Sequence, residues 1–444
     1  MAKANVQEQS VNFEEVFGPV TKMDSVRLLI ALAAQESRRL HHMDVNSAIL
    51  TGELEEELYV KQPPKYIKEG EEHKVLKLHK PLYGLRQAPR AWNIKLDSTL
   101  ISLEFEKAPL EHTMYKRGKG NDRLLVGIYV DDLLITGADE EVIANFKLQM
   151  EELFRMTDLG LFSYYLRIEV QQKPEGITIC QEAYAKKVLE SCGMKDCNPS
   201  HVPMKPRLIL SKTGEAPAVD ATEYRSVVRK LRYLTNTRPD LAYSVGIVSR
   251  FMEAPTTEHW EAVENILRYI KGTSNFGCVY LREKKEMMEL LGYSDSHMAV
   301  DVDDRKSTSG VAYFLRESMV SWPSQKQEVV ALSSRETEYI AVATAVCRGM
   351  CQGRLLGDLT GKERVVLKVD DKSTISLWKN PVCHHERWKH IDTRYRYLRE
   401  CMEESKIGVN YICTDDQLAD ILTRPLGRQK FVKMRRRIGF QAVK

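Results

Sequence analysis

The spacing of apolar positions changes several times along the chain, and each change marks an element. Val26, Leu29, Ile30 and Ala33 recur at helical spacing behind Asp24-Ser25, which predicts a helix capped by that polar pair. Leu40 to Val45 is a strand candidate that runs into Ala48-Ile49-Leu50 and breaks at Thr51-Gly52. An acidic segment from Glu53 to Pro64 follows without an apolar frame, so its carboxylates are expected to be solvated. Lys80 to Trp92 holds two prolines and a glycine, which predicts a shaped loop leading into a helix from about Asn93 to Leu103. In Leu124 to Ile135 two apolar runs flank Asp131-Asp132, the pattern of a β-hairpin with both carboxylates at its tip. A helix from about Glu140 to Phe154 and a strand-like run from Ser163 to Val170 come next, then the turn Lys173-Pro174-Glu175-Gly176, read as a domain border.

From Gln181 to about Lys271 the pattern is helical, with Val227, Val228, Leu231 and Leu234 on one stripe. A further helix opens at Pro255-Thr256-Thr257-Glu258 and ends at Lys271-Gly272. Strand-like runs then appear at Leu290 to Ser294, Gly310 to Leu315 and Met319 to Trp322. A helix from Ser333 to Leu356, a strand at Val365 to Val369, helices at Asp371 to Lys379 and Asp392 to Glu404, a strand at Gly408 to Cys413 and a helix at Asp415 to Leu422 complete the series. Strands first and mixed elements afterwards predict a separate α+β domain.

Length and composition narrow the class. The 444 residues are 43% hydrophobic and 29% charged, enough for two or three domains with their own cores. No long uninterrupted apolar stretch and no signal-peptide core occur, so a soluble, intracellular protein without membrane contact is expected. A net charge of +4 does not by itself announce a nucleic-acid binder. Basic residues gather in the segment from Thr423 to Lys444, which has no acid; it reads either as a solvated helix face or as a phosphate contact. Nine scattered cysteines without a C-x-x-C pair fit a reducing compartment. Neither Cys347 with Cys351 nor Cys383-His384-His385 with His390 completes a zinc spacing.

The candidate chemistry is acidic. Asp131 and Asp132 lie side by side between apolar strands, where their charges repel unless a cation neutralises them. Mg²⁺ suits such a place because it takes one or two carboxylates plus phosphate oxygens and water. Asp44, at the end of its own strand candidate, is the natural third ligand of a two-metal site. Taken alone, an Asp-Asp pair at a hairpin is more often a simple turn.

The surrounding motifs resemble those of copia-type reverse transcriptases. His42-Met43-Asp44-Val45-Asn46-Ser47-Ala48, Lys80 to Trp92 and Tyr129-Val130-Asp131-Asp132 appear in the family's order and spacing, with Gln62-Pro63-Pro64 and Asp158-Leu159-Gly160 continuing the match. By that resemblance Asp44, Asp131 and Asp132 are the polymerase carboxylates, and Ile49, Gln87 and Tyr129 line the nucleotide and template pocket. A second set resembles the ribonuclease H domain of the same elements: Gly292-Tyr293-Ser294-Asp295, Asp303 to Gly310, Glu338 in Glu336-Thr337-Glu338-Tyr339, Asp370, and Asp420 in Asp416-Gln417-Leu418-Ala419-Asp420. Asp295, Glu338, Asp370 and Asp420 are then its metal-binding acids, with Glu336 and Asp371 structural neighbours.

What the resemblance implies is a multidomain α/β and α+β protein: a right-hand polymerase palm with partial fingers over 1–174, a helical thumb or connection over 175–286, a ribonuclease H-like domain over 287–430 and a basic tail over 431–444. It further implies Mg²⁺ or Mn²⁺, two ions per active site, and as partners a primed RNA template, deoxynucleoside triphosphates and an RNA–DNA hybrid. The expected compartment is cytoplasmic, in a virus-like particle, or nuclear. Met1-Ala2-Lys3-Ala4 resembles the middle of a family strand, which is why the fingers are expected to be partial. Ile49 stands where the family carries phenylalanine, Arg167 and Arg229 where it carries glycine, and Ser296 to Val300 departs from its acidic-tryptophan-glycine run. These departures leave an alternative open: an inactive relic of the same polyprotein that at most binds nucleic acid.

Overall fold

A computed structural model of the chain describes residues 7–8, 13, 15–282, 288–379, 400–401, 404 and 406–443. They fall into two compact units, Met1–Lys22 with Arg38–Phe162 and Met23–Ser37 with Ser163–Lys444. The helix expected behind Asp24 is Met23–Gln35 (α1), and it belongs to the second unit. Asp24 does not cap it. It lies inside the first turn, where its carboxylate pairs with Arg27 and takes bonds from Arg348 (2.7 Å) and the Ser321 hydroxyl (2.9 Å).

The first unit is an antiparallel sheet with helices on one face. Its strands are β1 (Leu40–Val45), β4 (Glu106–Lys107), β5 (Met114–Arg117), β6 (Leu124–Tyr129), β7 (Asp132–Gly137) and β8 (Met156–Leu161), in the order β4-β5-β6-β7-β1-β8. A separate ribbon pairs β2 (Leu58–Lys61) with β3 (Val75–Leu78). Strand period explains the core: Leu124, Val126, Ile128, Leu133 and Ile135 alternate onto one face and meet Trp92, Leu96 and Leu100 of α2 (Ala88–Ser102) and Ile143, Phe146 and Met150 of α3 (Glu140–Leu153). Helix α2 begins five residues before the expected Asn93, because Pro89 is well suited to a first turn whose N–H groups have no partner.

The second unit holds two sheets. The strand-like run from Ser163 breaks into β9 (Tyr164–Tyr165) and β10 (Ile168–Lys173), and β10 pairs with β11 (Gly176–Cys180). Lys173 pairs with Gly176 across a hairpin, so the expected border at 174 is the tip of a turn within one sheet. Helices α4 (Glu182–Ser191), α5 (Ala221–Leu234), α6 (Ala242–Val248) and α7 (Thr257–Lys271) follow, and then β12 (Phe276–Leu281) returns to pair with β11. The stretch over 175–286 expected to be helical therefore carries a strand at each end: β11 pairs with the adjacent β10 and with β12, whose own partners lie far from it along the chain.

The second sheet has the order β15-β14-β13-β17-β18, formed by β13 (Leu290–His297), β14 (Thr308–Leu315), β15 (Ser318–Ser321), β17 (Val365–Val369) and β18 (Gly408–Tyr411). β16 (Ser324–Lys326) also pairs with β14. β13 runs antiparallel to β14 and parallel to β17, and the long helix α8 (Ser334–Thr360) packs on all three. Helix α9 (Lys372–Lys379) follows β17; the helix expected at Asp392 to Glu404 lies largely outside the described residues. The helix expected at Asp415 to Leu422 is instead two 3₁₀ turns, Thr414–Asp416 and Leu418–Leu422. The basic segment is not a free tail. It forms α10 (Arg428–Arg437) and β19 (Phe440–Ala442), buries Phe431, Met434, Ile438 and Phe440, and pairs β19 with β12.

Candidate active sites

In the first unit the hairpin expected at Asp131-Asp132 is present, with Tyr129 and Asp132 paired across a two-residue turn. Asp44 stands opposite Asp132 in the β1–β7 register, and the Val45 N–H donates to the Asp131 carbonyl at 3.0 Å, so pairing alone brings the three acids to one end of the sheet. Val130 at the tip has φ +56°, a left-handed conformation costly for a β-branched residue. Its carbonyl accepts from the Trp92 indole N–H, which ties the turn to α2. Burial, then the like charge of Asp132, raises Asp44 above the usual carboxylate range; burial and both neighbouring acids raise Asp131. Asp132 is engaged differently. Its Oδ1 lies 2.6 Å from Nε2 of the buried His42, two residues before Asp44 on the same strand face.

The remaining palm expectations are placed as follows. Gln87 is buried immediately before α2 and accepts a bond from the Gln7 amide at 3.1 Å. It also lines a cavity of about 250 Å³ with Glu53, Arg90, Lys95 and neighbours. Ile49 is 6% exposed and packs in the sheet–helix core. Tyr129 is half-buried where β6 enters the turn.

The second unit concentrates its acids more tightly. Asp295 on β13, Glu338 on α8 and Asp370 at the end of β17 each offer an oxygen, and these oxygens lie within 4.8 Å of one another. Among the described residues this is the group whose ligand atoms so converge. Its members come from neighbouring elements because β13 and β17 are parallel and adjacent while α8 crosses them. Glu338 Oε1 accepts from the Ser296 amide (3.2 Å) and hydroxyl (2.7 Å), whereas its buried Oε2 has no partner. Burial first, then the adjacent carboxylates, pushes both Asp295 and Glu338 upward. An unpartnered buried oxygen among three converging carboxylates fits a divalent cation.

Asp420 is wholly buried in the second 3₁₀ turn, outside that group of three. Its Oδ1 lies 2.9 Å from Arg424 Nε, and its other oxygen accepts from Lys430. Arg424 Nη2 also reaches both Asp295 oxygens, at 3.1 and 3.2 Å, and the Thr423 hydroxyl donates to Asp295. The turn approaches β14 so closely that a Cβ on Gly310 would stand 2.6 Å from Thr423 Cγ2 and 3.0 Å from the Ala419 carbonyl oxygen. Glu336 and Asp371 are occupied locally. Glu336 accepts from the Leu332 amide at the start of α8, and Asp371 from Ser373 and Thr374 at the start of α9.

Several participants were not singled out from sequence: His42, Trp92, Ser296, Thr423 and Lys430 as partners, and Arg424 as more than part of a basic run. His42 was accessible through its two-residue spacing from Asp44. Arg424, four residues after Asp420, was hidden by its membership of a cationic stretch. Arg167 has φ +61° in the turn between β9 and β10, a conformation glycine favours, whereas Arg229 is simply exposed on α5 and meets no crowding. Cys347 and Cys351 are both exposed on α8, and Cys383 to His390 lie outside the described residues. Among the described residues no helix is long and apolar enough to cross a membrane.

Comparison with known proteins agrees with this architecture. The family described as reverse transcriptase (RNA-dependent DNA polymerase) matches residues 1–206. The Pol polyprotein from transposon TNT 1-94 of Nicotiana tabacum is 37% identical over 453 residues, covering all of this chain and 34% of that protein. The Pol polyprotein from transposon RE1 of Arabidopsis thaliana is 36% identical over 445 residues, again the whole chain and 30% of the relative. This chain thus spans about a third of the length of these two relatives. A putative transposon Ty5-1 protein of Saccharomyces cerevisiae is 31% identical over 307 residues, 68% of this chain and 99% of that protein. Among solved structures, foamy viral protease-reverse transcriptase in complex with double-stranded DNA is similar in fold. Its TM-score is 0.53 at 13% identity, covering 92% of this chain and 74% of that one. The same viral protein in complex with RNA/DNA hybrid gives 0.51 at 14% identity, over 89% and 46%.

Proposed function

The chain belongs to the reverse transcriptase family of copia-type retrotransposon Pol polyproteins, and from that premise we propose that it copies RNA into DNA and cleaves the RNA strand of the resulting hybrid. The observation that carries the second activity is the convergence of Asp295, Glu338 and Asp370 around the unpartnered Glu338 oxygen. Mg²⁺ or Mn²⁺, two ions per site, would be held there by those residues with Asp420, and in the palm by Asp44, Asp131 and Asp132. Such ions, when bound, offset phosphate charge and lower the pKa of an attacking hydroxyl or water.

The protein's own groups orient the reactants. In the palm, the β1–β7 register sets Asp44 opposite Asp132, which follows Asp131 out of the turn, and His42 pairs with Asp132. A primer 3′-hydroxyl placed there would attack the α-phosphorus of a deoxynucleoside triphosphate, with pyrophosphate leaving. Gln87, Tyr129 and the position of Ile49 are the proposed nucleotide and template contacts. In the second unit Ser296 orients Glu338, while Thr423 and Arg424 orient Asp295. Selection of RNA there rests on the 2′-hydroxyl and the shape of the minor groove.

The test is primer extension on an RNA template with Mg²⁺ or Mn²⁺, alongside cleavage of a labelled RNA–DNA hybrid. Asp131→Asn is expected to abolish extension and leave cleavage, and Asp295→Asn the reverse. Folded protein that does neither with either metal would identify an inactive descendant. That second reading draws on Asp132 paired with His42, on Asp420 in ion pairs with Arg424 and Lys430, and on the buried Ile49.

A further inference from the structure

The acids of the second unit are not equally free to take a cation. Glu338 has one oxygen bonded to Ser296 and one without a partner, and no cationic side chain pairs with it among the described contacts. Asp295 and Asp420, both almost wholly buried, share a single guanidinium. Arg424 Nη2 lies 3.1 and 3.2 Å from the two Asp295 oxygens, and its Nε lies 2.9 Å from Asp420 Oδ1. Lys430 meets the other Asp420 oxygen. Two buried carboxylates this close repel strongly in a low dielectric, and the guanidinium between them, hydrogen-bonded to Asp295 and in an ion pair without a formed hydrogen bond with Asp420 Oδ1, offsets that repulsion by its charge. The Arg424 side chain is nonetheless one-third exposed (33%), so it has a path to solvent that the carboxylates lack. Its backbone is held, the Arg424 N–H donating to the Asp420 carbonyl at 3.3 Å. Movement is therefore left to the side chain.

We propose that Arg424 is a positioning residue that competes with divalent metal for Asp295 and Asp420, holding both until an ion between them displaces it. The inference rests on the ribonuclease H reading above and adds an order of filling. An ion among Asp295, Glu338 and Asp370 meets the guanidinium at one ligand only and binds first. An ion between Asp295 and Asp420 meets it at both and binds second, at a concentration that Arg424 sets. Released from the acids, the guanidinium is a fork suited to a phosphate of the bound hybrid.

The experiment is Mn²⁺ titration followed by the electron paramagnetic resonance of free Mn²⁺. It uses the full chain carrying Asp44→Asn and Asp131→Asn, so that the palm takes no ion. That protein is expected to show a tighter and a weaker class of ion. Arg424→Gln should tighten the weaker class by at least about tenfold, and Arg424→Lys, which keeps the charge, should leave it weak. Melting curves of each variant verify that it folds, and Glu338→Gln should remove the tighter class. Equal affinities in the Arg424→Gln variant and its parent would overturn the competition. Folded protein that binds no Mn²⁺ with or without Arg424 would overturn the metal-site reading itself, and this inference with it.

Discussion

Gly310→Ala probes how closely the 3₁₀ turn that carries Asp420 must approach β14. A Cβ at that position would stand 2.6 Å from Thr423 Cγ2, 2.8 Å from Leu422 Cβ and 3.0 Å from the Ala419 carbonyl oxygen. Leu422 Cβ and the Ala419 carbonyl oxygen are fixed to the backbone and cannot rotate away, so the turn itself has to move. Adding one carbon to a filled interior costs about 1–3 kcal/mol. For a unit of this size that corresponds to a fall in Tm of roughly 2–10 °C. The same displacement carries Thr423 and Arg424 away from Asp295, so hybrid cleavage should fall along with stability. Thermal unfolding of the full chain, with cleavage measured well below the transition, checks both. Gly427→Ala is the control, because a Cβ there meets nothing within 4 Å. Adding Thr423→Ser to Gly310→Ala removes the nearest clashing methyl and should recover part of the loss. A Gly310→Ala protein that melts and cleaves like the parent would refute the close-packing account.

Other consequences can be measured separately. Burial raises Asp295 and Glu338 in the folded chain, so folding retains protons that the unfolded chain releases above the ordinary carboxylate range. Without divalent ions their contribution to stability is therefore fullest below that range and is lost as pH climbs toward the raised values. Glu338→Gln should gain on the parent in urea midpoint between about pH 5 and about pH 8, and a gap that narrows instead would reverse the sign. Val130→Gly relieves a β-branched residue at φ +56° and should stabilise the first unit by up to about 1 kcal/mol, read as a higher urea midpoint. Arg167→Gly should stabilise by a similar amount, about 1 kcal/mol, because φ is +61° there. In mid-helix, Arg229→Gly should destabilise by roughly 0.5–1 kcal/mol, and equal effects at the two arginines would contradict the backbone argument.

Elements whose evidence is local were legible in the sequence. The β6–β7 hairpin, α3, α8 and β17 each carry their own period, and Asp44, Asp131, Asp295, Glu338 and Asp370 stand at strand ends or on a helix face that those periods locate. What escaped was set by distant partners. β12 is a strand through partners far from it along the chain, β11 and β19, and Phe440 of β19 needs β12 in turn. The basic residues after Thr423 looked like a solvated face because charge alone does not say which acid a guanidinium will meet. Arg424 finds Asp295 only once the second 3₁₀ turn is laid against β14. A Pro-Glu-Gly turn looks the same whether it joins two domains or two strands, and the border expected at 174 falls on such a turn.

The place of α1 has a consequence for the living synthesis of the chain. Every residue from Ser25 to Gln35 is buried, against strands that include β12 and β15, yet those strands are made long after it. At about 5–20 residues per second, a ribosome reaches β15 some 15–60 seconds after α1 has formed. Through that interval Val26, Leu29, Ile30 and Ala33 lack the cover of β12 and β15, while Arg38–Phe162 of the first unit is synthesised and free to fold. A nascent chain stalled between Phe162 and Phe276 should therefore recruit chaperones through this one helix, and alternating its apolar face with charge should release them.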